Sequence, residues 1–538
     1  MSGMGDHLMI APVVLPLVAG AAMLFLGEMR RGLKAAISVG STLALVGIAI
    51  ALLTMSDSAE SVSRVSVYPL GNWPAPFGIV LVVDRLSALM LLLTSILGAA
   101  AVIFSLARWH RAGAHFHSLF QLLLMGVNGA FLTGDLFNLF VFFELLLAAS
   151  YGLALHGSGP ARVKAGLHYI AVNLAASLLF LIGVSLIYAV SGTLNMADLA
   201  TRIPRIAPEN RPLLEAGAAV LGVAFLLKAG MWPLCFWLPS TYAAASPPVA
   251  SIFAILTKVG VYILLRLWLL LFGEAAGASA HFGGEWLLYG GMATVAFGIV
   301  GSLASQDMAR LAAFSVLVSS GTVLAATGMG QVGVTGAALF YLVSSTLGIS
   351  AFFLLIELVE RGREPGADVL AVTREAYGEG EGSFDEEGEA GFAIPATMGV
   401  LGLAFIGCAL VIAGLPPLSG FIAKFALLSA ALNPSGMTQS GGTVRTAAWG
   451  LLVILIMTGL ATLIAMTRAG IRAFWAAPDR EVPRVRVIEM APVATLLILC
   501  ALQTIQAGPV MRFMQAAADS LYTPGDYVRG VLGQKPGG

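Results

Sequence analysis

Charge and cysteine are what this 538-residue chain has least of. Only 11% of its residues are charged, where an ordinary soluble domain carries about 25%, so a water-facing surface of the usual kind is excluded. Cys235, Cys408 and Cys500 are its only cysteines, and they lie far apart in apolar runs without a CxxC pair. A disulfide framework and a thiolate metal site are therefore not expected; small buried hydrophobes are. An excess of one sign of charge is missing too: 29 basic residues balance 29 acidic ones, which leaves no electrostatic footprint for nucleic acid. There is no phosphate loop, nucleophile triad or cofactor motif, so neither cofactor nor metal is expected and the chain does not read as a chemical catalyst.

Apolar sequence fills the space. Hydrophobic residues make up 58% of the chain and its mean hydropathy is +0.90. Windows of roughly 17–25 mostly apolar residues can cross a bilayer as helices. They fall near 8–27, 34–54, 84–107, 116–134, 136–156, 166–190, 213–239, 247–272, 285–305, 311–329, 334–360, 392–432, 447–475 and 488–507. The prediction is an all-α polytopic membrane protein with about fourteen spans. The window 392–432 is too long for one straight span and is interrupted by GLPPLSG at 414–420. No basic stretch precedes the first window and Arg30 and Arg31 follow it, the reverse of a secretory signal, so it reads as a retained helix.

With the amino terminus outside, sixteen lysines and arginines fall on the cytoplasmic side of these spans and eight on the other. The bias predicts both termini on the outer side of the cell membrane. Residues 191–212 are too polar and Pro-rich to span and predict a short surface helix and turn. Residues 361–391 carry nine acids and several glycines, the composition of a solvated cytoplasmic loop, with a partner-docking site as the lesser reading.

Four ionisable residues interrupt the apolar windows: Glu144, Lys228, Lys258 and Lys424. A charge near the bilayer centre costs at least about 2.5–3.5 kcal/mol, so such residues usually face protein or water and mark an ion or proton path. At 1.5 Å per residue Glu144 is predicted roughly 12 Å deep and Lys258 roughly 17 Å, too deep to snorkel. Two of the lysines neighbour helix breakers, with Pro233 and Pro239 after Lys228 and Pro416 and Pro417 before Lys424, while Pro247 and Pro248 precede the window of Lys258. Paired helix breaks with charges beside them point to a transport path between two structural repeats. Burial favours the neutral form of an ionisable group and a nearby opposite charge favours the charged form. A Glu–Lys contact that forms and breaks would therefore switch a lysine's proton affinity; the competing reading is a static buried pair joining two helices.

The remaining polar residues carry weaker expectations. His168 could feed protons from the cytoplasmic edge or pack as a hydrogen-bonded histidine. Ser344, Ser345 and Thr346 could hold water in the eleventh window or serve helix contacts. Asp84, Arg85 and Asp135 fall at span ends, and Glu357 and Arg266 are expected to reach toward headgroups or loops. The tryptophans of MWPLCFWLP read as belt or packing residues.

Three stretches carry a family resemblance: GDLFNLFVFFELLLAASYGL (134–153), LLKAGMWPLCFWLPSTYAAASPPVASIFAILTKVGVYILLR (226–266) and GLPPLSGFIAKF (414–425). They resemble the antiporter-like membrane subunits shared by respiratory complex I and the Mrp-type multisubunit cation/proton antiporters. ASYGLALHGSG, the GTLNMADLA loop and PLCFWLPSTYAAASPPV look most like the D-type branch of the Mrp antiporter subunits. The resemblance implies fourteen helices with two inverted five-helix repeats and broken seventh and twelfth helices. The implied divisions are 1–115 for helices one to three, 116–272 for the first repeat, 285–475 for the second with its acidic loop, and 476–538 for the last helix and tail. It implies a proton relay through Glu144, Lys228, Lys258 and Lys424, partnership with a larger paralogous subunit and small hydrophobic subunits, and exchange of protons for a monovalent cation, sodium being the first expectation. The chain departs from the family on the eleventh helix, where Ser345 and Ile349 stand in place of a histidine and a lysine common in relatives. Water held by Ser344, Ser345 and Thr346 would have to bridge that gap. Other readings are a proton-pumping subunit of complex I or a membrane-bound hydrogenase, a structural scaffold, and a stand-alone solute permease.

Overall fold

The computed structural model describes residues 6–27, 30–57, 65–361, 396–433, 444–474 and 483–533. The acidic loop expected at 361–391 lies outside them apart from Arg361. Apolar segments in lipid must satisfy every backbone group internally, and helices do so. The helices are α1 (Ala11–Phe25), α2 (Arg31–Asp57), α3 (Arg85–Ser105), α4 (Phe116–Leu132), α5 (Leu136–Ala154), α6 (Pro160–Ser191), α7 (Met196–Arg202), α8 (Arg211–Ala229), α9 (Leu238–Ala244) and α10 (Pro247–Leu271). They continue with α11 (Gly284–Ala304), α12 (Met308–Gly328), α13 (Val332–Glu360), α14 (Ala396–Ala413), α15 (Ser419–Leu432), α16 (Thr446–Phe474), α17 (Val487–Ile505), α18 (Ala507–Tyr522) and α19 (Gly525–Leu532).

Twelve of the described helices are long and apolar enough to span, and the shorter α1 and α4 complete fourteen crossings. Two crossings are broken, as expected. The seventh is α8 and α9, parted at 230–237; the twelfth is α14 and α15, parted at 414–418. Gly230 and Gly414 end α8 and α14 at φ of 72° and 76°, the left-handed conformation that closes a helix most cheaply at glycine. Pro247 and Pro248 start α10, where a missing N–H costs nothing.

The helices pack as two units of five crossings. α4 lies on α5 as α11 lies on α12, α6 on α8 as α13 on α14 and α15, and α8 on α10 as α14 on α16. Five is odd, so the second unit enters the membrane from the face opposite the first, and the two are inverted. α10 and α13 form the core: the whole apolar window of α10 is buried, whereas two thirds of that of α17 faces outward.

On the face where α3 begins, β1 (Ser66–Pro69) pairs antiparallel with β2 (Val80–Val83), Ser66 opposite Val83. Asp84 then caps α3 in a reciprocal box with Ser87, both bonds 2.9 Å long. The 191–212 segment forms the short helix expected, α7, capped by Asn195, but not at the surface: Met196, Ala197, Asp198 and Leu199 are buried because α7 packs on α10 and α19. The tail carries more structure than the sequence suggested, since α18 packs on α13 and α19 on α7.

Two side chains expected to reach toward headgroups or loops are both buried in ion pairs, Glu357 also meeting Trp109 in the connection between α3 and α4. Arg266 grips Asp84 through both terminal nitrogens, at 2.5 and 2.7 Å, beneath the Tyr527 ring. Glu357 accepts from Trp109 Nε1 and Arg361, and Arg361 also binds Glu489. Asp84 and Trp109 lie 182 and 248 residues from the side chains they partner, out of reach of a local reading.

Candidate functional site

Two helix breaks and two close approaches position the lysines. Lys228 occupies the last turn of α8, just before the break, where the exposed carbonyls give the helix end its partial negative charge. Gly260 lets α10 press onto α8 at this level: a Cβ there would sit 2.7 Å from Ala229 N. The contact brings the backbone of Lys228 and Ala229 against α10, two residues beyond Lys258 in the chain. Lys424, on α15, reaches back and donates to the carbonyl of Ala413 at 2.7 Å, the last residue of α14. Gly414 makes room for it, since a Cβ there would meet Lys424 Cδ at 2.6 Å. In both broken crossings a lysine thus lies at the carbonyl end of the first half-helix.

The three lysines are buried, at 5%, 0% and 8% exposure for Lys228, Lys258 and Lys424. Glu144, nine residues into α5, is partly buried and close enough to act electrostatically on Lys228. They are not locked together: neither Glu144 Oε1 nor Lys228 Nζ has a hydrogen-bond partner. Lys228 Nζ lies instead 4.9 Å from the centre of the Phe143 ring, a contact that holds a cation without fixing its direction.

Lys258 Nζ donates to Ser320 Oγ on α12 at 3.0 Å. The adjacent Ser319 bonds Ser345 on α13 at 2.7 Å, and Ser344 bonds Ser419 at the start of α15, also at 2.7 Å. Ser344 and Ser345 therefore face the space between Lys258 and Lys424, whereas Thr346 is turned back onto the Leu342 carbonyl at 2.6 Å. His168 is exposed on α6. Ser319 and Ser320 carry no signal in the sequence, and Ser419 only its place in the GLPPLSG break; their bonds to α10 and α13 distinguish them from other helix serines.

One face offers an opening. A cavity of about 260 Å³ is lined by Arg108, Trp109, Glu357 and Arg361 at its charged side and by Tyr242 and Pro247 where α9 meets α10. Tyr242 Oη bonds the Phe253 carbonyl at 2.8 Å and Thr257 Oγ1 at 3.3 Å, one residue before Lys258. Among the described residues no cluster of metal-ligating side chains occurs.

Comparison with known proteins places this arrangement. Residues 133–447 match the family model described as "NADH:quinone oxidoreductase/Mrp antiporter, TM". The chain is 63% identical over 520 residues to the D subunit of a probable K(+)/H(+) antiporter of Rhizobium meliloti, covering 96% of both chains. It is 32% identical over 535 residues to the D subunit of the Na(+)/H(+) antiporter of Alkalihalophilus pseudofirmus, covering 98% of this chain and 99% of the relative. Its structure is similar to a chain of the Mrp complex from a Dietzia species, with a TM-score of 0.79 and 27% identity over 99% of this chain and 100% of the other. The fourteen crossings, the two broken helices and these matches establish that the chain belongs to the transmembrane family of NADH:quinone oxidoreductase and Mrp antiporter subunits.

Proposed function

We propose that this chain is the D-type subunit of an Mrp-type multisubunit monovalent cation/proton antiporter and carries its proton relay. The observation that supports this most is the set of three buried lysines, two of them beside helix breaks, with Lys228 and Glu144 near each other but unbonded. A relay needs such a group, because a lysine fixed in a static pair cannot change its proton affinity. Protons enter by the cavity at Tyr242, reach Lys258, and exchange with Lys228 on one side and Lys424 on the other. Movement of Glu144 toward Lys228 stabilises the ammonium; movement away releases its proton.

The basic residues favour a cell-membrane orientation with both termini outside and the cavity facing the cytoplasm. Partner subunits of the Mrp type complete the complex and hold the cation path. Potassium takes precedence over the sodium expected from sequence, because the relative at 63% identity is named for potassium. The units 116–272 and 285–475 act as the two halves of the relay. A redox-driven proton-pumping subunit is the second reading, favoured by the joint family description; copurification with iron–sulfur subunits would identify it.

The test is potassium- and sodium-dependent proton antiport in vesicles bearing the assembled complex. Glu144→Ala is expected to abolish it, and full antiport in that variant would overturn the proposal.

A further inference from the structure

We infer that five serines, Ser320, Ser319, Ser345, Ser344 and Ser419, form a hydroxyl wire that carries protons between Lys258 and Lys424 in place of a titratable group on α13. The inference rests on the relay reading above and assigns the segment that reading leaves open.

The geometry supplies three direct links across four helices. Lys258 on α10 bonds Ser320 on α12, Ser319 on α12 bonds Ser345 on α13, and Ser344 on α13 bonds Ser419 on α15. All five serines are buried, four of them completely. In both serine–serine links either oxygen can be the donor. That reversibility is what a wire needs, because a hydroxyl both donates and accepts and its hydrogen can rotate. The competing acceptor for Ser345, the Leu342 carbonyl, is the longer bond at 3.3 Å. Thr346 is excluded from the wire by its short bond to that same carbonyl.

The other steps run between neighbours on one helix. Ser319 and Ser320 are adjacent on α12, and Ser344 and Ser345 on α13. Ser419 lies five residues before Lys424, whose stem leans toward the N-terminal end of α15, where Ser419 sits. We assign bridging water to these steps, since water-mediated bonds are nearly as favourable as direct ones.

Transfer balances without net chemistry. The Lys258 ammonium passes one proton to a lone pair of Ser320 Oγ, whose own hydroxyl proton moves on. Each oxygen along the wire gains one hydrogen and loses one, and the neutral Lys424 amine takes the last. Lys258 ends neutral, Lys424 ends charged, and every bond in the wire has reversed direction. Rotation of the hydroxyls resets it.

The experiment compares Ser345→Thr with Ser345→Val in the assembled complex, side chains of nearly equal size that differ in the hydroxyl. Antiport in vesicles is measured alongside Lys424→Ala, with complex abundance recorded for each. The wire predicts near-normal antiport for Ser345→Thr and a loss of about tenfold or more for Ser345→Val. If crowding silences both, Ser345→Ala decides: loss of antiport with normal assembly supports the wire, and normal antiport overturns it. Near-normal antiport in both the Thr and Val variants with Lys424→Ala inactive overturns the wire and leaves the lysine relay standing. Full antiport in Lys424→Ala overturns the relay and the wire with it.

Discussion

Replacing Lys228 with methionine separates a relay from a static scaffold, because the two make opposite demands on stability. Where a buried ion pair is structural, removing one partner leaves an uncompensated charge and costs about 3–5 kcal/mol. In this structure Lys228 Nζ is buried and has no hydrogen-bond partner, and Glu144 is only partly buried. Methionine keeps most of the stem and removes the unsatisfied donor, whose burial costs about 1–3 kcal/mol. Lys228→Met is therefore expected to leave the thermal stability of the solubilised complex unchanged or raised. Its antiport should fall by about 100-fold or more, the scale on which a positioned proton-transfer group acts. Melting curves and vesicle antiport on the same preparation check both halves. A marked fall in melting temperature with antiport retained would refute the reasoning.

Two further substitutions test how the site is held. Asp84→Asn removes the charge that Arg266 grips and should cost about 3–5 kcal/mol, read as a lower melting temperature. Burial alone would raise the Asp84 pKa, but Arg266 and the Ser87 bonds prevail and lower it, so its stabilisation is complete above the unfolded carboxylate value and fades as pH falls below about 4. The wild-type protein should lose stability in that acid window more steeply than Asp84→Asn; parallel curves would contradict this. Gly414→Ala places a side chain at a φ of 76° and against Lys424 Cδ. It should cost about 1–2 kcal/mol from the backbone alone and reduce antiport by displacing Lys424 from the Ala413 carbonyl; wild-type melting and antiport would contradict it.

The breaks and the lysines were legible in the sequence for a local reason. Proline near a charge within an apolar window has few physical explanations, and both broken crossings fell where Pro233 and Pro416 indicated. What was not legible depends on partners far apart in the chain. Asp84 and Arg266 are separated by 182 residues, and each alone looks like an interfacial charge. The serines posed the same difficulty, since a helix serine commonly bonds its own backbone, as Ser315 does to Leu311. Only packing of α12, α13 and α15 turns Ser319, Ser320 and Ser419 toward other side chains. The strand pair β1–β2 is too short for hydrophobic windows to reveal, and the Val80 carbonyl at its end accepts from Gly134 N–H, a partner far along the chain.

The most direct measurement is proton antiport by an assembled complex in which Lys228, Lys258 and Lys424 are all replaced by alanine. A relay through these residues predicts normal assembly with no cation-driven proton movement for either potassium or sodium. Antiport at the wild-type rate in that complex would contradict it and leave the buried charges as structural features alone.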